Sequence, residues 1–193
     1  INEIISNKIR VIGFATGSTQ IRLYHELVKS YKNKIVDFSD LISFNLDEYY
    51  KINPDFSLSY RYFMDKHFFN HINIKDENIN FLDGLAKKPD YECLKYEEKI
   101  KQVGGIDCQI LGLGVNGHIA FCEPGTDIKT KTMLVKLDKE TIKQNSDGRF
   151  YKNIDEVPTH ALTMGIDTIF ASKKIIVLAN GPRKSMAVRN SIE

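Results

Sequence analysis

Short apolar runs that each stop at a polar loop constrain this chain more than anything else in it. Arg10–Ala15 runs into Thr16-Gly17-Ser18-Thr19, and Leu41–Leu46 into Asp47-Glu48-Tyr49-Tyr50. Cys108–Leu113 runs into Gly114-Val115-Asn116-Gly117-His118, and Lys174–Ala179 into Asn180-Gly181-Pro182-Arg183-Lys184. Helix-like stretches lie between them, one carrying Ile21, Leu23, Tyr24, Leu27 and Val28, another charged and spanning about 91–103. Aromatic bulk (Tyr60, Tyr62, Phe63, Phe68, Phe69) marks a third helical region, and short strands are predicted over 78–82 and 133–137. Residues 157–165 open a further element, and a helix closes the chain. Strands alternating with helices are the signature of βαβ units and a parallel sheet. The predicted class is therefore α/β: an open, mostly parallel sheet with helices on both faces.

At 193 residues and 42% hydrophobic, the chain suits one globular domain with a sizeable core. No linker or repeat divides 1–193. Both ends read as edges of a larger domain, since the chain opens at Ile1 and stops at Glu193 inside a helical pattern. The 27 basic and 25 acidic residues are interspersed, which argues against a nucleic-acid or membrane surface. Cys93, Cys108 and Cys122 form no paired framework, so a soluble protein in a reducing, cytoplasmic compartment is expected.

In a parallel sheet the strand exits face one edge, where ligands bind. Thr16, Gly17, Ser18 and Thr19 open a helix, offering amides and hydroxyls to an anion with the helix dipole behind them. An ordinary helix cap uses the same residue types. Lys184 and Arg149 can add positive charge to the same anion. Asp47 and Glu48 are adjacent, so one faces the crevice and the other points away. A carboxylate there is a competent general base, or a helix cap. His118 is a proton carrier near neutrality, and Glu123, five residues on, can orient its ring. His25, His67, His71 and His160 read as surface or core residues, and Cys122 as packing. No metal-ligand spacing is present and no metal is expected.

Three segments carry a family resemblance. Phe44-Asn45-Leu46-Asp47-Glu48-Tyr49, the run from Gly112 to Pro124, and the run from Val157 to Gly165 resemble the glucosamine-6-phosphate deaminases, also called isomerases, in the family's order. The similarity extends from about Ile12 to Lys184. It implies a Rossmann-like fold and conversion of glucosamine 6-phosphate and water to fructose 6-phosphate and ammonia, with no cofactor. On this resemblance His118 assists opening of the sugar ring, and Asp47 moves a proton between C2 and C1 through a cis-enolamine. Glu123 and Asn116 support His118, while Thr16, Gly17, Ser18, Thr19, Arg149 and Lys184 hold the phosphate. A mobile lid is implied over about 133–163.

The chain departs from the family pattern at three places. Asn116 stands where some members have aspartate, Cys122 replaces a usual asparagine, and Asp147-Gly148 precedes Arg149. Members activated by N-acetylglucosamine 6-phosphate carry a basic pair at positions matching Met133 and Val135, so no such activation is expected. Partners on this reading are a sugar phosphate, with no nucleic acid and no membrane. A homo-oligomer is compatible with it, but the chain does not fix its oligomeric state, nor glucosamine against galactosamine 6-phosphate.

Two other classes share the architecture. A 6-phosphogluconolactonase tends to carry arginine after the Asp-Glu and threonine after the Gly-His, where this chain has Tyr49 and Ile119. A non-catalytic sugar-phosphate sensor needs the anion cradle but not Asp47, His118 and Glu123 together.

Overall fold

The computed structural model of the chain describes residues 1–6, 8–138, 142 and 157–193. Its elements run α1 (Asn2–Ile5), β1 (Val11–Phe14), α2 (Ser18–Lys32), β2 (Ile42–Asn45), β3 (Asp47–Tyr49), α3 (Tyr60–His67) and β4 (Ile79–Asn80). Then follow α4 (Pro89–Gln102), β5 (Cys108–Gly112), β6 (Met133–Lys136), β7 (His160–Thr163), α5 (Ile166–Phe170), β8 (Ile175–Leu178) and α6 (Ser185–Ile192).

Five strands form one sheet in the order β4-β2-β1-β5-β8, every pair parallel. β1 lies at its centre, and all four of its residues are buried. Side chains alternate between the faces of a strand, so β1 feeds two cores. Ile12 and Phe14 pack with Tyr24, Leu27 and Val28 of α2 and Met64 of α3 on one face. On the other face Val11, Phe44 and Leu111 pack with Cys93, Tyr96 and Ile100 of α4 and Ile169 of α5. The predicted three-layer α/β arrangement follows from this alternation. Among the described residues, no helix is long and apolar enough to cross a membrane.

Local chemistry sets the helices. α4 begins at Pro89, whose missing N–H costs nothing at a first helical position, with Asp90 and Glu92 in the first turn and Lys99 and Lys101 in the last. Its buried residues Cys93, Tyr96 and Ile100 repeat at helical spacing. α2 starts after Gly17, whose φ of 128° favours glycine, and buries Gln20, Tyr24, Leu27 and Val28.

One sequence expectation is corrected here. Asp47-Glu48-Tyr49 does not simply terminate the second strand. It forms β3 of a second, antiparallel sheet ordered β3-β7-β6, with Asp47 opposite Thr163 and Glu48 opposite Leu162. Leu46 is the joint: its N–H donates to the Phe14 carbonyl (2.9 Å), and its own carbonyl accepts from the Met164 N–H (2.8 Å). The chain passes from a parallel ladder to an antiparallel one across that residue. Tyr49, Ile52, Leu137, Val157 and Ala161 form a third, smaller core behind the second sheet.

Candidate active site

The loops that leave the carboxyl ends of β1, β5 and β8 are tied together by hydrogen bonds. Thr19 Oγ1 donates to Asn180 Oδ1 (3.3 Å), joining the loop after β1 to the loop after β8. The Lys184 ammonium donates to the carbonyl of Leu113, just past β5, and its partial burial lowers its pKa. Gln20 is buried at 2% exposure. With its amide turned to satisfy both neighbours, its nitrogen donates to the Gly17 carbonyl and its oxygen accepts from the Gly112 N–H, both at 3.2 Å. A side chain at Gly112 would press on that amide, since a Cβ there lies 2.8 Å from Gln20 Nε2.

The loop after β5 folds around His118. Gly114 N–H donates to the His118 carbonyl (2.8 Å), and the imidazole lies over the bare backbone of Gly114. A Cβ at Gly114 would come within 2.5 Å of the ring. The His118 amide donates to Asn116 Oδ1 (3.1 Å), and Asn116 Nδ2 donates to Glu123 Oε2 (2.6 Å). His118 Nδ1 stands 3.8 Å from the same Glu123 oxygen, beyond hydrogen-bond reach but close enough for attraction once the ring is charged. Burial lowers the His118 pKa; Glu123 opposes that shift and Lys184 reinforces it.

Asp47 and Glu48 divide as their alternation requires. Asp47 is 6% exposed, and its pKa is pushed up to about 8, first by burial and then by the Glu48 charge. Glu48 turns the other way. Its Oε1 accepts from the amides of Tyr49 (2.8 Å) and Tyr60 (2.9 Å), and its Oε2 from the amide of Arg61 (2.9 Å). It thereby satisfies the opening amides of α3 that the Ser59 hydroxyl, bound to Tyr62 N–H (2.9 Å), leaves unpaired.

The antiparallel sheet connects the acid to the histidine loop. Asp47 pairs with Thr163, and Thr163 Oγ1 accepts from the Phe121 N–H (3.3 Å) three residues beyond His118. Cys122 follows, buried, its thiol donating to the Met164 carbonyl (3.4 Å). Burial pushes that thiol up to about 11, and the charges of Asp47 and Glu123 both contribute. The thiol thus senses both carboxylates and stays protonated at neutral pH.

Across residues 1–193 the sequence matches the family described as glucosamine-6-phosphate isomerases/6-phosphogluconolactonase. The chain belongs to that family. A glucosamine-6-phosphate deaminase of Thermoanaerobacter sp. (strain X514) is 48% identical over 196 residues, covering 99% of this chain and 77% of the relative. One from Clostridium novyi (strain NT) is 49% identical over 192 residues, covering 100% of this chain and 79% of the relative. A solved monomeric glucosamine-6-phosphate deaminase superposes with a TM-score of 0.95 at 38% identity, covering 99% of this chain and 78% of that one. A 6-phosphogluconolactonase from Thermotoga maritima reaches a TM-score of 0.75 at 16% identity, which establishes a shared fold.

For this member of the isomerase/lactonase family, Gln20 links Gly17 to Gly112, Thr19 meets Asn180, and Lys184 meets Leu113 close enough to His118 to act on its charge, while Asn116, His118 and Glu123 lie together in the loop after β5. Asp47 adjoins the His118 loop through Thr163 and Phe121. Arg149 lies outside the described residues. So does most of the span that the resemblance assigns to a lid, whose ends are β6 and β7. Sequence reasoning missed three contributors. Gln20 sits on the buried stripe of α2 with Tyr24, Leu27 and Val28, so an amide at an apolar helical position was the available signal. Thr163 lies within residues 157–165, which the sequence marks only as a further element, and Gly114 lies in the polar loop after the Cys108 strand. Among the described residues, no group of three or more His, Cys, Asp or Glu side chains is placed to hold a metal.

Proposed function

We propose that the chain converts glucosamine 6-phosphate and water to fructose 6-phosphate and ammonia. The observation that carries this reading is a water-poor carboxyl at Asp47, joined through one strand pairing and one hydrogen bond to a loop holding a largely neutral imidazole. The amides and hydroxyls of Thr16–Thr19 at the start of α2, with Lys184 beside them, bind the phosphate and leave the C1–C2 end of the sugar toward Asp47 and His118. Arg149 adds a second cation on the family resemblance.

Ring opening requires a proton to leave the anomeric hydroxyl and one to reach the ring oxygen. His118, neutral in its resting state, carries that proton, while Asn116 fixes its backbone and shares Glu123 with it. In the open chain Asp47 takes the C2 proton and returns it to C1 of the cis-enolamine. A pKa near the working pH lets one carboxyl do both. The imine left at C2 is hydrolysed by water, releasing ammonia. On the family resemblance, the segment of about 133–163 is the lid that excludes bulk water during proton transfer. Function in the cytoplasm, in a self-associated form or alone, is compatible with this reading.

The test is steady-state ammonia release from glucosamine 6-phosphate, run beside galactosamine 6-phosphate and hydrolysis of 6-phosphogluconolactone. Ammonia release from an amino-sugar phosphate supports the proposal, whereas lactone hydrolysis without ammonia overturns it.

A further inference from the structure

Glu48 is more than a helix cap, because of what lies next to it. Its carboxylate is 2% exposed and accepts three backbone amides, two of them from residues twelve and thirteen positions further along the chain. Those bonds fasten the start of α3 to β3. β3 is only three residues long, so the strand that holds Glu48 also fixes the backbone of Asp47. On its other side β3 is held by β7.

The charge matters as well as the clamp. Tyr24 of α2, Tyr49 of β3, Tyr60 of α3, Tyr96 of α4 and Cys122 of the histidine loop all feel the Asp47 charge. Burial raises the pKa of every one, so they stay neutral through the range in which Asp47 titrates. Among the described residues, Glu48 is the neighbour whose charge acts on Asp47 and changes there. Burial pushes its own pKa up to about 7, and three amide donors pull it back toward the ionised form.

Building on the assignment of Asp47 as the proton carrier, we propose that Glu48 is a positioning residue for the reaction. Its buried carboxylate pins β3 to the start of α3, and its negative charge sets the field in which the Asp47 carboxyl takes up and returns its proton. The two acids then titrate as a coupled pair rather than separately. A cap with no electrostatic role requires only the amide bonds.

The experiment is the pH profile of kcat/KM for ammonia release in Glu48→Gln and Glu48→Asp. The glutamine keeps the size and an acceptor oxygen but removes the charge. Its acid limb is expected to move to lower pH by about one unit, the scale set by losing one adjacent like charge. The aspartate keeps the charge on a shorter stem, and is expected to restore the limb while remaining less stable to heat. A glutamine variant with the wild-type acid limb overturns the proposal, whatever its thermal stability.

Should the glutamine variant fail to fold, carboxyl 13C titration of the wild-type protein decides. Two inflections at Asp47, one coinciding with Glu48, support coupling, and independent single inflections overturn it. Asp47→Asn separates the two readings. Near-normal turnover there removes Asp47 as proton carrier, while the wild-type titration still reports whether the acids are coupled.

Discussion

Asp47 lies in an edge strand paired with β7 and pinned to the start of α3 through Glu48, its carboxyl buried and its pKa pushed up to about 8 by burial and by Glu48. His118 lies in a half-open loop, its proton affinity lowered by burial and partly restored by Glu123. The two groups approach neutrality from opposite directions. Desolvation disfavours charge in each, and charge means deprotonation for one and protonation for the other. The scaffolds differ in kind. Asp47 depends on pairing between distant segments, whereas the turn that carries His118 is shaped mainly by hydrogen bonds among residues 114–123 and reaches distant segments only at its far end, through Phe121 and Cys122. Damage near Asp47 should therefore spread, and damage near His118 should stay local.

The largest expected effect comes from Asp47→Asn. Turnover should fall by about two to four orders of magnitude, the usual range for losing a general base, with KM little changed. The same substitution should stabilise the fold at alkaline pH. The folded-state pKa of Asp47 is raised from 3.8 to about 8, so the native state binds the extra proton and loses stability as pH rises between those values. The gain in Tm over wild type should be absent below about pH 4 and largest above pH 8, at roughly 2–4 °C for each kcal/mol relieved. A constant difference in Tm across that range would show that Asp47 is not strained as described.

Next in size is Gly114→Ala. The added Cβ meets the His118 ring at 2.5 Å and must displace it. A loss of about 100-fold in kcat/KM is expected, with thermal stability nearly intact, because small misplacements of a reacting group carry that cost. A fall in both by large amounts would deny the local character of this loop.

Gln20→Leu should act on substrate affinity rather than turnover. It removes the amide that braces Gly17 against Gly112, and a rise in KM of about tenfold, near 1.4 kcal/mol, is expected for one lost hydrogen-bonding group at the proposed phosphate site. Equal loss in kcat would place Gln20 in the chemistry instead. The smallest expected effect is none: N-acetylglucosamine 6-phosphate should leave the rate unchanged, since Met133 and Val135 of β6 carry no positive charge. Activation in a rate-against-effector titration would refute this.

Much of the parallel sheet was legible because strand and helix periods differ and each strand exit carried its own polar loop. The position of Asp47 was legible, and so was the rule that it and Glu48 face apart. The second sheet was not. Its handover at Leu46 is made by bonds to Phe14 and Met164, partners 32 and 118 positions away, and no local pattern announces them. The task of Glu48 was hidden for the same reason, since its amide donors belong to a helix that begins beyond a loop. Gly114 read as a turn residue because the atom that excludes any side chain there belongs to His118 itself.

The single-residue joint at Leu46 has an evolutionary corollary. Side chains along β3 alternate with a period of two, so adding or deleting one residue at the joint would exchange the two acids. Glutamate would then enter the pocket on a longer arm, and aspartate would be left to reach for the helix amides on a shorter one. Length at this point of the chain is therefore under tighter constraint than residue identity, and indels that surface loops tolerate should be purged here.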